Sequence, residues 1–213
     1  MSFRRHLIYG VMVCAWLSTG AARSQDESFT EPKSGKAFPN KVVFTLEGKE
    51  FTLAATGATH FVKESKKATE GKENAQYTMA HYMEAATKEA ETTWYSVILE
   101  KPAVKQMVFS YDADITGEAL KKIYTRFFSK VVSPEELEKN KPAIDEFLAA
   151  MNAPLAAKQQ FAFRWLPDNR MVLILPAQEK TLSASPIASW FWKSWFADAS
   201  PLDRAALIAK LAQ

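Results

Sequence analysis

Residues 104–131 read VKQMVFSYDADITGEALKKIYTRFFSKV, and within that stretch the apolar period changes from two to about three and a half. Met107, Phe109 and Tyr111 alternate with Gln106, Val108 and Ser110, as in a strand with one face on a core. From Thr116 onward Leu120, Ile123, Tyr124, Phe127, Phe128 and Val131 keep the i, i+3, i+4, i+7 spacing of an amphipathic helix. A strand that hands its apolar face directly to such a helix predicts an α+β domain with helices laid on a sheet. Asp112 and Asp114 fall between the two elements. They are expected to end the strand and cap the Thr116 helix, rather than to form an acid/base pair.

Upstream, Lys41–Leu46 alternates with Val42, Phe44 and Leu46 on one side, Glu47-Gly48 turns, and Glu50–Leu53 returns, continuing extended through Gly57 to about Lys63. Glu64–Asn74 is charged and reads as a solvated hairpin tip. Ala75–Met83 reads as a strand with Tyr77, Met79, His81 and Met83 on one side. Lys88–Leu99 begins in a helical pattern. Downstream, Ser133-Pro134-Glu135-Glu136 is a capping box opening a helix that Pro142 interrupts. Phe161, Phe163 and Trp165 mark a strand. Pro167-Asp168-Asn169 turns it into Arg170–Leu175, apolar on both faces and therefore expected in the middle of the sheet. Ser185-Pro186 and Ser200-Pro201 are expected to start two closing helices. The fold class expected is α+β, an antiparallel β-sheet packed by helices mainly on one face.

The first 24 residues read as an export signal: basic Met1–His6, apolar Leu7–Leu17, and Ala22-Arg23-Ser24 as a small–x–small cleavage site. Residues 25–37 are polar and read as a flexible lead-in, leaving one domain over 38–213. Cleavage after Ser24 removes the single cysteine, Cys14, and with it any disulfide or thiolate chemistry. The chain carries 27 Lys and Arg against 24 Asp and Glu, and loss of Arg4, Arg5 and Arg23 makes the two signs equal. A neutral domain gives no electrostatic reason to hold nucleic acid, and no later apolar run is long enough to anchor it in a membrane. The expected location is a bacterial periplasm.

Nucleotide-loop, hydrolase-elbow and zinc-protease motifs are absent. His60 and His81 are expected as polar histidines beside strand ends; no metal site and no cofactor is expected from them. Trp190, Phe191, Trp192, Trp195 and Phe196 surround a short helix almost completely, as in a helix buried on several sides or lining a ligand cleft.

Several segments together resemble the chalcone isomerase-like family. FPNKVVFTLEGKEFTLAATG (38–57) is similar to its opening strands and glycine turn, and YTMAHYME (77–84) to its third strand. Phe109–Gly117 with its amphipathic helix is similar to the central strand–helix unit, and Ser189–Leu211 to the terminal helices. The resemblance implies a chalcone isomerase-like open-faced β-sandwich with a cleft between sheet and helices, a fold that plant isomerases share with fatty-acid-binding proteins. It also implies where catalytic groups should stand. The family's arginine after the glycine turn has no counterpart in Ala58–Val62, where Phe61 is nearest in register. The third-strand threonine falls at Tyr77, the helix tyrosine at Leu120, the asparagine at Phe127, and only the hydroxyl of the penultimate helix is kept, as Ser194.

On that basis Phe61, Tyr77, Met79, Leu120, Phe127, Trp190, Ser194 and Trp195 are expected to line a dry cleft suited to a fatty acid or another hydrophobic small molecule. Tyr77, His60, Lys63 or Ser194 would serve a polar head. Two other readings remain open: an isomerase or lyase of different specificity using Tyr77, His60 and Ser194, and a ligand-free protein-interaction domain whose core is filled.

Overall fold

The computed structural model describes residues 28–62, 76–85, 92–198, 200 and 202–211. The export signal, the charged hairpin tip, Lys63 and the start of the Lys88–Leu99 segment lie outside the described residues.

The main sheet is antiparallel and seven-stranded, each strand pairing with the next in sequence: β3 (Lys41–Leu46), β4 (Lys49–Phe61), β5 (Tyr77–Met83), β6 (Lys105–Tyr111), β7 (Gln160–Trp165), β8 (Met171–Leu175) and β9 (Gln178–Thr181). Registers such as Met79↔Phe109 and Phe109↔Phe161 align the large side chains of β5–β7 on one face. Over that face lie α1 (Trp94–Glu100), α2 (Gly117–Val131), α3 (Pro134–Lys139), α4 (Lys141–Ala150), α5 (Ile187–Phe196) and α6 (Arg204–Leu207). A single large core joins Met107, Phe109, Phe163 and Leu173 from the sheet to Tyr124, Phe147 and Phe191 from the helices. The opposite face carries a smaller cluster, including Phe38, Leu53, Tyr82 and Val172, to which no residue of the described helices contributes. This is the expected α+β architecture with helices on one face.

The local signals explain most boundaries. Thr116 accepts from Ala119 N and Ser133 from Glu136 N, each starting its helix. Pro142 separates α3 from α4. α5 is buried along both sides, as its ring of aromatics requires.

Several expectations are corrected. Residues 25–37 do not form an unpaired lead-in from Ser28 on: β1 (Ser28–Thr30) pairs with β2 (Ala37–Pro39). Glu31 is buried there, accepting from Ser34 N at 2.6 Å, and Lys36 Nζ reaches Ser110 Oγ at 2.7 Å and Asp112 at 3.0 Å. Polar side chains thus hold this hairpin where an apolar count sees nothing to bury. Asp112 is accordingly the partner of Lys36, and Asp114 accepts from Ala157 N; neither caps α2, because Thr116 does so itself. β8 lies one strand in from the edge, since the polar segment Gln178–Thr181 adds β9 beyond it. α5 starts without a side-chain cap from Ser185, and α6 is capped by Asp203 rather than started at Ser200. His81 is no strand-end residue: it is fully buried in mid-β5.

A bulge in β4 between Ala55 and Gly57 turns Thr56 inward, where its carbonyl accepts from Lys210 N at 2.9 Å. Gly57 faces α6 so closely that a Cβ would overlap the Ala206 carbonyl oxygen and press on the Leu207 backbone. Gly57→Ala must therefore push α6 off the strand. A loss of about 1–3 kcal/mol is expected in urea unfolding, against a smaller loss for Gly48→Asn, where the space is open and the φ of 80° is one that asparagine tolerates better than other side chains.

Candidate functional site

Most of the residues expected to line the cleft meet in a packed interface between β4–β6, α2 and α5, where their aromatic rings touch one another. Tyr77 on β5 lies 5.1 Å from Phe61, 5.5 Å from Tyr111, and 5.9 Å from Trp195 between ring centres. Trp195 on α5 stacks edge-on against Phe127 of α2 at 4.5 Å, and Phe127 lies 6.1 Å from Tyr124. Met79 and Leu120 are buried in the same core. Trp190 lies beside Phe128 at 6.4 Å, on a part of α5 where no ring contact joins it to Tyr77 or Trp195. The structure thus brings Phe61, Tyr77, Phe127 and Trp195 together and sets Trp190 apart from them.

Two of the three polar candidates are engaged elsewhere. Ser194 Oγ donates to the Trp190 carbonyl at 3.0 Å, one turn back in its own helix. His60 points to the helix-free face, where Nδ1 lies 3.0 Å from Thr78 Oγ1 and Nε2 lies 4.0 Å from Asp112. Successive residues of a strand face opposite sides, so His60 and Phe61 cannot both face the cleft. Tyr77, His60 and Ser194 therefore do not assemble as an acid/base set.

The polar atoms left without partners in this interface are three. Tyr77 Oη, Tyr124 Oη and Trp195 Nε1 are buried and have no hydrogen-bond partner among the described residues. Buried phenol and indole groups normally find partners, so three such donors within one aromatic cluster are a departure from ordinary packing. Tyr111 lies beside the Tyr124 hydroxyl without meeting hydrogen-bond geometry. Burial raises the ionisation of Tyr77 and Tyr124 well above the ordinary phenol value, and Tyr111 adds to the effect on both. Both phenols are thus held as O–H donors near neutral pH and are unsuited to act as bases.

Tyr124 is the residue that the family positions pass over, lying between Leu120 and Phe127 on the same helix. Its signal was nevertheless present, because a tyrosine on the apolar stripe of α2 must carry a hydroxyl into the core.

A second buried network lies at the other end of β5 and is fully satisfied. Trp192 Nε1 donates to His81 Nε2 at 3.1 Å, which places the imidazole proton on Nδ1. Nδ1 donates to Thr56 Oγ1 at 2.7 Å, and that hydroxyl donates to the Leu207 carbonyl at 2.7 Å. Burial, with a contribution from Lys105, lowers His81 from its ordinary value to about 3. The relay ties α5, β5, the β4 bulge and α6 together.

Lys105 on β6 is also buried. Its ammonium donates to the Lys101 carbonyl at 2.7 Å and lies 4.0 Å from the Trp165 ring centre. Burial lowers it to about 8. A groove of about 300 Å³ on the helix-free face is lined by Val42, Val108, Ala162 and Ile174, and none of the three unpartnered donors lies in it. No group of three or more potential metal ligands occurs among the described residues.

A family model described as chalcone isomerase-like matches residues 72–204. Among solved structures, the chain is similar to the Arabidopsis thaliana fatty-acid binding protein AtFAP1, with a TM-score of 0.65 and 12% identity. That similarity covers 87% of this chain and 96% of the plant protein. A search of curated proteins found no matching relative.

Proposed function

Because this chain belongs to the chalcone isomerase-like family, we propose that it binds a hydrophobic small molecule such as a fatty acid in the sheet–helix cleft and does not catalyse the isomerase reaction. The observation that carries this reading is the set of three buried, unpartnered donors, Tyr77, Tyr124 and Trp195, among otherwise apolar walls. A few polar groups in an apolar enclosure are the usual composition of a ligand site. The fold shared with a fatty-acid binding protein supports it. Catalysis is disfavoured because no arginine follows the glycine turn, the phenols are held protonated, and His60 and Ser194 point elsewhere. The proposal includes export to a bacterial periplasm, resting on the basic, apolar and small-residue segments of the first 24 residues.

The test is native mass spectrometry on detergent-free protein, followed by melting curves with added acyl compounds. An adduct of acyl-chain mass is expected. A ligand at about a hundred times its Kd should stabilise by about 2.7 kcal/mol, or roughly 5–10 °C for a domain this size. An adduct-free protein whose melting temperature no acyl or flat aromatic compound moves would favour the filled-core reading instead.

A further inference from the structure

We infer that the cleft selects ligands whose polar head is uncharged, an ester, ketone or protonated acid carbonyl, over the carboxylate form of a fatty acid. This rests on the cleft-binding reading above and specifies its ligand. The inference follows from which donors are free and which cations are not. A carboxylate taken out of water needs a cation or an unusually complete set of donors, because an unpaired buried charge is strongly disfavoured.

Among the described residues the buried cations are Lys105 and Arg164. Lys105 is committed to the Lys101 carbonyl and the Trp165 ring. Arg164 lies on the helix-free face, donating to Gln106 at 2.9 Å and stacked 3.3 Å from the Phe44 ring centre. His81 is neutral within its relay. On the helices that border the cleft, Lys122, Arg126 and Lys193 are exposed and Lys121 pairs with Glu118.

The three free groups, in contrast, are neutral donors. A carbonyl oxygen has two lone pairs and needs no counter-charge, so neutral O–H and N–H donors suffice for it. The raised ionisation of Tyr77 and Tyr124 keeps both as donors across the physiological range. One competing arrangement is defined by geometry. Beside Phe61 a hollow of about 270 Å³ is lined by Lys33, His60 and Asp203 as its charged or titratable groups. A carboxylate held at that rim by Lys33 would put the head outside and the chain inside.

The experiment compares decanoic acid, methyl decanoate and decane, matched in chain length, by intrinsic tryptophan fluorescence. At about pH 7.5 the ester is expected to bind at least about tenfold more tightly than the acid. Lowering the pH to roughly 6 should strengthen acid binding by about tenfold per pH unit, following the protonated fraction of the ligand's own carboxyl, while ester binding stays level. Tyr124→Phe removes one oxygen that has no partner, so the fold is retained. It should weaken the ester by about threefold to tenfold and leave decane unchanged. Equal or tighter binding of the acid at pH 7.5, or a loss of acid binding in Lys33→Ala, would overturn the head-group assignment and leave the cleft reading standing. Failure of all three probes to bind would overturn the cleft reading itself.

Discussion

Phe191→Ala should lower the stability of this protein by about 3–5 kcal/mol, a large part of the roughly 5–15 kcal/mol that a domain has to lose. Phe191 is the hub of the aromatic core. Its ring centre lies 4.4 Å from Phe163, 5.7 Å from Tyr124 and Trp192, 6.0 Å from Trp195, and 6.1 Å from Phe109. Those neighbours come from β6, β7, α2 and α5, so the void left by the ring cannot be closed by one side chain turning inward. Both the lost transfer energy and the residual cavity therefore count. Phe191→Leu keeps most of the volume and should cost less than about 1.5 kcal/mol. Val43→Ala, at a position 57% exposed, should stay within about 0.5 kcal/mol of the parent. Urea unfolding of the three variants checks the order. A Phe191→Ala loss below about 1 kcal/mol would mean that the sheet and helices do not share this core.

The second large effect is acid sensitivity built into the His81 relay. His81 is held at about 3 in the folded protein, against about 6.5 when unfolded. Above pH 6.5 both states are neutral and the relay is fully present. As pH falls from 6.5 towards 3, the unfolded chain takes up a proton that the folded chain refuses, and stability is lost. By pH 4.5 the loss from this one residue is roughly 3 kcal/mol. His81→Gln cannot titrate there, so its urea midpoint should vary much less between pH 7.5 and 4.5. It should also be less stable at pH 7.5, because an amide cannot occupy both ring-nitrogen positions between Trp192 and Thr56. Parallel pH slopes in the two proteins would remove His81 as the source.

The sheet and its helices were legible because their side chains keep a period. Met107-Phe109-Tyr111 and Leu120-Tyr124-Phe128 state strand and helix without reference to anything distant. The elements that escaped are the ones built from polar contacts across long separations. The β1–β2 hairpin depends on Lys36 reaching residues 74 and 76 positions away, and His81 depends on Trp192 at a separation of 111. No local window contains such pairs. The site divided in the same way. Tyr77, Phe127 and Trp195 follow from their elements' apolar faces, whereas His60 was displaced by strand alternation and Ser194 by a bond to its own helix. Tyr124 was in plain sight on the α2 stripe, but that its hydroxyl finds no partner depends on the packing around it.

The order of the sheet, each strand beside its predecessor from β3 to β9, has a consequence for synthesis. A chain emerging from its amino terminus can add every new strand to an edge already formed, which keeps loop closures short and the search small. The helix that seals the core arrives only after the last strand. Until residues 187–196 have been made, the aromatic face of β6 and β7 lacks its central cover, whatever α2 and α4 shield. A nascent chain paused upstream of Ile187 thus has all seven strands of the main sheet but a partly uncovered hydrophobic face, the kind of intermediate that aggregates. The ten residues Ile187–Phe196 therefore carry the solubility of everything made before them.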